Sequence, residues 1–133
     1  MADDRFQDWH PPQIEEGKPT KWNWVVQGVA GLKLGRRTDI GAFTYINARH
    51  EVEIGDEVQI GSHCSIYSMS TIDGKQGKVT IGKGACIGTH SVVLPGVTIG
   101  ENSIIGAFSL VNKDIPPNVI AYGQPAHVAR ERS

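Results

Sequence analysis

The stretch IGKGACIGTHSVVLPGVTIGENSIIGAFSLVNKDI, residues 81–115, decides the fold. Aliphatic side chains recur in it at Ile81, Ile87, Val93, Ile99, Ile105 and Val111, a strict step of six, although Leu, Ile and Val make up only about a quarter of the chain. Six is not a multiple of the helical period of 3.6, so this register drifts off any one helix face. Strands of two or three residues joined by tight turns repeat it indefinitely. The same step runs through Ile54, Ile60, Ile66 and Ile72, and through Leu34, Ile40 and Ile46. A small or β-branched residue stands four places after each aliphatic: Thr38, Thr44, Val58, Cys64, Ser70, Ala85, Ser91, Val97, Ser103 and Ser109. Both positions are expected to face a narrow interior.

The pattern predicts an all-β chain wound as a parallel β-solenoid, each strand bonded to the coils above and below at roughly 4.8 Å, with the stacked Ile column as core. The 16 glycines among 133 residues, well above average usage of roughly 7%, fit this reading. Gly35, Gly41, Gly55, Gly61, Gly82, Gly88, Gly100 and Gly106 directly follow the aliphatic positions, where positive φ in a turn is their expected use. The phase slips twice, by two residues between Ile46 and Val52 and by three within DGKQGK at residues 73–78. The predicted layout is an N-terminal arm and cap over 1–24, a solenoid of just over four triangular coils over 25–116, and a turn with a short helix over 117–133. Residues 1–21 read as a polar extended arm, Trp22, Trp24, Val25 and Val26 as a capping strand, and the helix as starting near Pro125.

Composition excludes several functions. With 13 basic and 14 acidic residues the formal charge is −1, which offers no field for following a phosphate backbone, so nucleic acid is not an expected partner. Cys64 and Cys86 cannot build a disulfide framework and fall in no zinc spacing, so a reducing cytoplasm is the expected setting and no metal is expected. The N-terminus is acidic without an apolar core and no run of 18 apolar residues follows, so neither a signal peptide nor membrane insertion is expected.

Residues 87–130, with PGVTIG at 95–100, IGAFSLVNKDIP at 105–116 and GQPAHVAR at 123–130, resemble the closing coils of hexapeptide-repeat acyltransferases, in particular sugar O-acetyltransferases of the galactoside and maltose type. The resemblance implies a left-handed parallel β-helix, a homotrimer with active sites at the subunit interfaces, and acetyl-CoA as acyl donor to a small sugar acceptor. It implies that the Thr89 backbone N–H lies near the thioester carbonyl, that Ala107 and Asn112 contact the pantetheine arm, and that Lys113 and Arg130 meet the CoA phosphates. Asn47 matches an acceptor-binding asparagine. Thr71 stands where that family carries a catalytic histidine, Cys86 replaces a tryptophan that commonly precedes the Ile87 sextet, and the following loop is short. These departures fit a branch acting on nucleotide-linked amino sugars or surface-polysaccharide sugars.

Acyl transfer requires a group to take the acceptor's proton and a donor for the tetrahedral oxyanion. His10 and His127 lie in the terminal segments. Stepping in sextets from Ala48 puts His50, Ser68, Thr89 and Ala107 on one edge of the solenoid, which makes His50 the first candidate base; His63, expected on a different edge, is the second. His90 matches a histidine that galactoside acetyltransferases carry beside their catalytic one and is expected to be structural. Two other readings use the same solenoid. One is a non-catalytic sugar-binding or assembly module. The other is a γ-type carbonic anhydrase, which would need two His ligands five residues apart, a spacing absent here.

Overall fold

The structure, a computed structural model, describes residues 7–133; residues 1–6 of the predicted arm lie outside the described residues. The chain runs through β1 (Val25–Gln27), one 3-10 turn (Val29–Gly31), β2 (Leu32–Leu34), β3 (Asp39–Ile40), β4 (Tyr45–Asn47), β5 (Val52–Ile54), β6 (Gln59–Ile60), β7 (Ser65–Tyr67) and β8 (Val79–Ile81). It continues through β9 (Cys86–Ile87), β10 (Val92–Val93), β11 (Thr98–Ile99), β12 (Ile104–Ile105), β13 (Leu110–Val111), β14 (Val119–Gly123) and β15 (Ala126–Glu131). Every third strand joins the same sheet. The first sheet is ordered β1-β4-β7-β10-β13, the second β2-β5-β8-β11, and the third β3-β6-β9-β12-β14-β15. All pairings between coils are parallel, and only β14–β15 is antiparallel. This is the predicted parallel β-solenoid with three faces. No helix among the described residues is long and apolar enough to cross a membrane.

The aliphatic column forms the core. Ile46, Ile66, Val93 and Val111 stack on the first face, Ile54, Ile81 and Ile99 on the second, and Ile60, Ile87 and Ile105 on the third, all buried. Val58, Cys64, Ala85, Ser91, Val97, Ser103 and Ser109 fill the corners between them and are also buried. Leu34 of the aliphatic column is only partly buried, and two further expected core positions fail together. Ile72 is 98% exposed and Ser70 is only half-buried. Both sit in a projecting loop closed by an antiparallel bridge between Met69 and Gln76, which leaves the coil at Ser68 and returns at Gly77, whose N–H donates to the Ser68 carbonyl at 2.9 Å. Ile66 to Ile81 therefore covers fifteen residues where one sextet step needs six. The insertion is nine residues, not three, and every later face is rotated by one relative to the sequence count.

The glycines after the aliphatic column serve a different purpose from the one expected. None of the eight has positive φ. Instead a Cβ on Gly61 would sit 2.7 Å from the Thr89 nitrogen, and one on Gly88 would sit 2.5 Å from the Ala107 nitrogen. The next coil's backbone occupies the space a side chain would need. Positive φ falls two places later, on Phe43, His63, His90 and Phe108 at one corner and on Arg37, Glu57, Gly84, Asn102 and Asn118 at another.

The ends of the solenoid would expose unpaired strand edges, and the terminal segments cover them. At the N-terminal end residues 7–24 pack down rather than extend freely. The Glu16 carboxylate accepts from the Gly28 and Val29 N–H groups at 2.8 and 2.9 Å, which holds it below the ordinary carboxylate range. The Trp9 indole donates to the Thr38 carbonyl at 2.9 Å. Trp24 is buried but precedes β1, and Trp22 is exposed, so the capping strand is shorter than predicted. At the C-terminal end there is no helix. Residues 126–131 form β15, which folds back antiparallel on β14. A helix of so few residues is marginal alone, whereas the open side of β14 supplies a ready row of backbone partners.

Candidate functional site

The corner leading from the third sheet into the first is built four times on one pattern: Ile40-Gly41-Ala42-Phe43, Ile60-Gly61-Ser62-His63, Ile87-Gly88-Thr89-His90 and Ile105-Gly106-Ala107-Phe108. Because successive coils superpose, the third members stack as a column and so do the fourth. The fourth residues carry rings, with centroids 5.1 Å apart for Phe43–His63, 4.7 Å for His63–His90 and 4.9 Å for His90–Phe108. The last two pairs are nearly parallel, at 3° and 10°. The N–H groups of His63, His90 and Phe108 donate to the third-position carbonyl one coil back, as from His90 to Ser62 at 3.1 Å and from Phe108 to Thr89 at 2.9 Å. The N–H groups of Ser62, Thr89 and Ala107 themselves have no acceptor among the described residues. They form a short row of free donors beside the rings.

Polar side chains tie this corner together. The Thr89 hydroxyl donates to the Ser62 carbonyl at 2.8 Å and lies 3.2 Å from Ser62 Oγ and 2.9 Å from His90 Nδ1. Behind them Cys64 Sγ contacts the Gly88 carbonyl at 3.2 Å, and burial pushes its thiol up from the ordinary value. Cys64 is thereby a core filler and no nucleophile at neutral pH.

The corner leaving the first sheet holds the other predicted site residues. Asn47 is buried at the end of β4. Its Oδ1 accepts from the Arg49 N–H at 3.1 Å and from the Ser68 hydroxyl at 3.3 Å, and its Nδ2 donates to the Tyr45 hydroxyl at 3.4 Å. His50 is half-buried in the same turn, its backbone N–H donating to Ser68 Oγ at 2.9 Å. Asn112 and Lys113 follow β13 at this same corner three coils on and are exposed, whereas Arg130 projects from β15.

The structure thus regroups the expected residues. His50 shares its corner with Ser68 and Asn47, not with Thr89 and Ala107; the nine-residue insertion moved it one face away. His63, expected on a different edge from Thr89, shares the Thr89 corner in the same chain. Thr89 and Ala107 do stack one coil apart. Sequence reasoning overlooked Ser62 and set His90 aside. The repeated Ile-Gly-Ser-His and Ile-Gly-Thr-His at residues 60–63 and 87–90 are the signal that pairs them.

Comparisons with known proteins agree with this architecture. A family model described as bacterial transferase hexapeptide (six repeats) matches residues 78–113. The galactoside O-acetyltransferase of Escherichia coli (strain K12) is 62% identical over 53 residues, covering 40% of this chain and 26% of that protein. The galactoside O-acetyltransferase of Lactococcus lactis subsp. lactis is 37% identical over 112 residues, covering 73% of this chain and 54% of its own. The chain therefore spans between about a quarter and about half the length of these curated relatives. A solved galactoside acetyltransferase in complex with coenzyme A superposes with a TM-score of 0.78 at 29% identity, over 99% of this chain and 78% of that one. Residues 78–113 thus match the hexapeptide transferase model, and the chain shares its fold along nearly its entire length with a galactoside acetyltransferase.

Proposed function

We propose that this protein is an acetyl-CoA-dependent sugar acetyltransferase, moving an acetyl group to a hydroxyl or amino group of a sugar or nucleotide-linked sugar. The observation that carries the reading is the Thr89 corner, where a backbone N–H without an acceptor stands next to two imidazoles. A thioester carbonyl placed against that N–H is polarised, and the tetrahedral oxyanion formed from it gains the same donor at greater strength. The similarity to enzymes named galactoside O-acetyltransferase supports the donor and the acceptor class.

Within this reading Ala107 and Asn112 line the pantetheine arm, and Lys113 and Arg130 hold the CoA phosphates. Asn47, buried and locked by Ser68, presents its corner to the acceptor, with His50 beside it. His63 at the Thr89 corner and His50 at the next stand on either side of the acceptor's path. The coil is left-handed, and three copies associate so that the corner of one chain faces the corner of its neighbour, which brings acceptor-side and donor-side groups into one groove. The short loop around Ile72 fits nucleotide-linked sugar acceptors and a place in surface-polysaccharide synthesis in the cytoplasm.

The test is CoA release from acetyl-CoA by the purified protein, read with a thiol-reactive dye against nucleotide-linked amino sugars, simple galactosides and maltose. Release that depends on one acceptor establishes the transfer and its acceptor class. Failure to bind acetyl-CoA at millimolar concentration overturns the reading in favour of a non-catalytic module.

A further inference from the structure

We infer that His90 is the proton acceptor of the transfer, held in the required tautomer by Thr89. The inference rests on the transferase reading above but on a separate observation, the proton count at Thr89 Oγ1. That oxygen carries one hydrogen. The Ser62 carbonyl, 2.8 Å away, can only accept, so it takes that hydrogen. With the hydroxyl hydrogen on that carbonyl, His90 Nδ1, 2.9 Å from the same oxygen, is assigned as the donor. A neutral imidazole has one N–H, so Nε2 keeps its lone pair and faces away from the threonine as a base.

Two further features hold the ring in place. It lies between the His63 and Phe108 rings at 4.7 and 4.9 Å, nearly parallel to both. All three of these residues take the left-handed backbone conformation, with φ of 57°, 59° and 60°. The next corner takes the same conformation at Arg37, Glu57, Gly84, Asn102 and Asn118, so the turn is common to the coils and the ring stacking is what distinguishes this corner. By contrast, no hydrogen bond among the described residues fixes the His50 or His63 ring.

The acceptor's oxygen or nitrogen lone pair bonds to the thioester carbonyl carbon while its proton passes to His90 Nε2, and the carbonyl electron pair moves onto oxygen opposite the Thr89 N–H. On collapse the C–S bond breaks, and the CoA thiolate takes the proton from Nε2. His90 is left as the neutral Nδ1–H form in which it started.

Two measurements on the full chain test this. Long-range nitrogen–proton NMR of the histidine side chains should show His90 protonated on Nδ1 and bare on Nε2, with that preference lost in Thr89→Val and restored in Thr89→Ser. With an acceptor found in the panel, His90→Ala and His90→Gln should each lower kcat by about a hundredfold or more, while acetyl-CoA affinity stays within about twofold. A bare Nδ1, or a kcat within about tenfold of the wild type in a folded His90 variant, overturns the assignment while the transferase reading stands. If the wild-type protein neither binds acetyl-CoA nor releases CoA, both fall together.

Discussion

His63 and His90 lie ring over ring, 4.7 Å apart and 3° from parallel, although a projecting loop separates them in sequence. The loop does not disturb the stack, because the chain leaves the coil at Ser68 and rejoins it at Gly77 through one backbone hydrogen bond. Register in a solenoid is set by what each coil stacks on, so an insertion that begins and ends at neighbouring points has no effect on the coils beyond it. The consequences can be checked at several positions.

Ile72 and Ile81 both fit the step of six when counted from Ile66 or from Ile99, yet one is 98% exposed and the other 1%. Ile81→Ala should cost about 2–5 kcal/mol by loss of burial and the cavity left behind. Ile72→Ala should stay within about 0.5 kcal/mol. Urea unfolding of the two variants decides the phase, and equal losses would restore the simple count.

Gly55 lies far from the Thr89 corner, and a Cβ there would sit 2.7 Å from the Lys83 nitrogen. Gly55→Ala should destabilise by about 1–3 kcal/mol, because a backbone atom cannot step aside as a flexible side-chain end can. The measurement is the denaturant midpoint, and an unchanged midpoint would mean the coils can open locally.

Glu16 fastens the N-terminal segment to the first coil, and its carboxyl is held below the ordinary range chiefly by the Val29 and Gly28 N–H donors. Its folded value lies under its unfolded one, so its stabilisation is present in full above the unfolded value and disappears as pH falls through the folded value. Glu16→Gln should therefore lower the unfolding midpoint at pH 7 and converge with the wild type in acid. A gap that persists at low pH would assign the loss to packing.

Lys113 and Arg130 are exposed, so in the proposed function each contact with a CoA phosphate would be screened and modest. Replacing either with Ala should raise the KM for acetyl-CoA roughly fivefold, about 1 kcal/mol, with kcat unchanged and a smaller effect in added salt. A short acyl-pantetheine donor without the phosphates should show no difference between variant and wild type. Equal losses with both donors would remove these side chains from the phosphate site.

The sequence alone carried the architecture. Ile87, Val93, Ile99, Ile105 and Val111 lie inside one uninterrupted run, where a step of six admits a single solution, and each is buried one face on from the last. The column of small residues from Ala85 to Ser109 was legible for the same reason, since a narrow corner excludes anything larger. Thr89 and Ala107 stack as the repeat required because no insertion separates them.

The tertiary structure alone decided what crosses an interruption or depends on a chain end. Periodicity records position modulo six, and an insertion of nine differs from one of three by a full sextet, so the pattern could not show which face Ile81 resumed on. That ambiguity placed His50 above Thr89 and left His63 and His90 apart. The terminal segment AHVARE became β15 because β14 already offered an open edge, a partner that local sequence does not reveal. The tautomer of His90 follows from Ser62, 28 residues earlier in the chain, whose carbonyl claims the one hydrogen of Thr89.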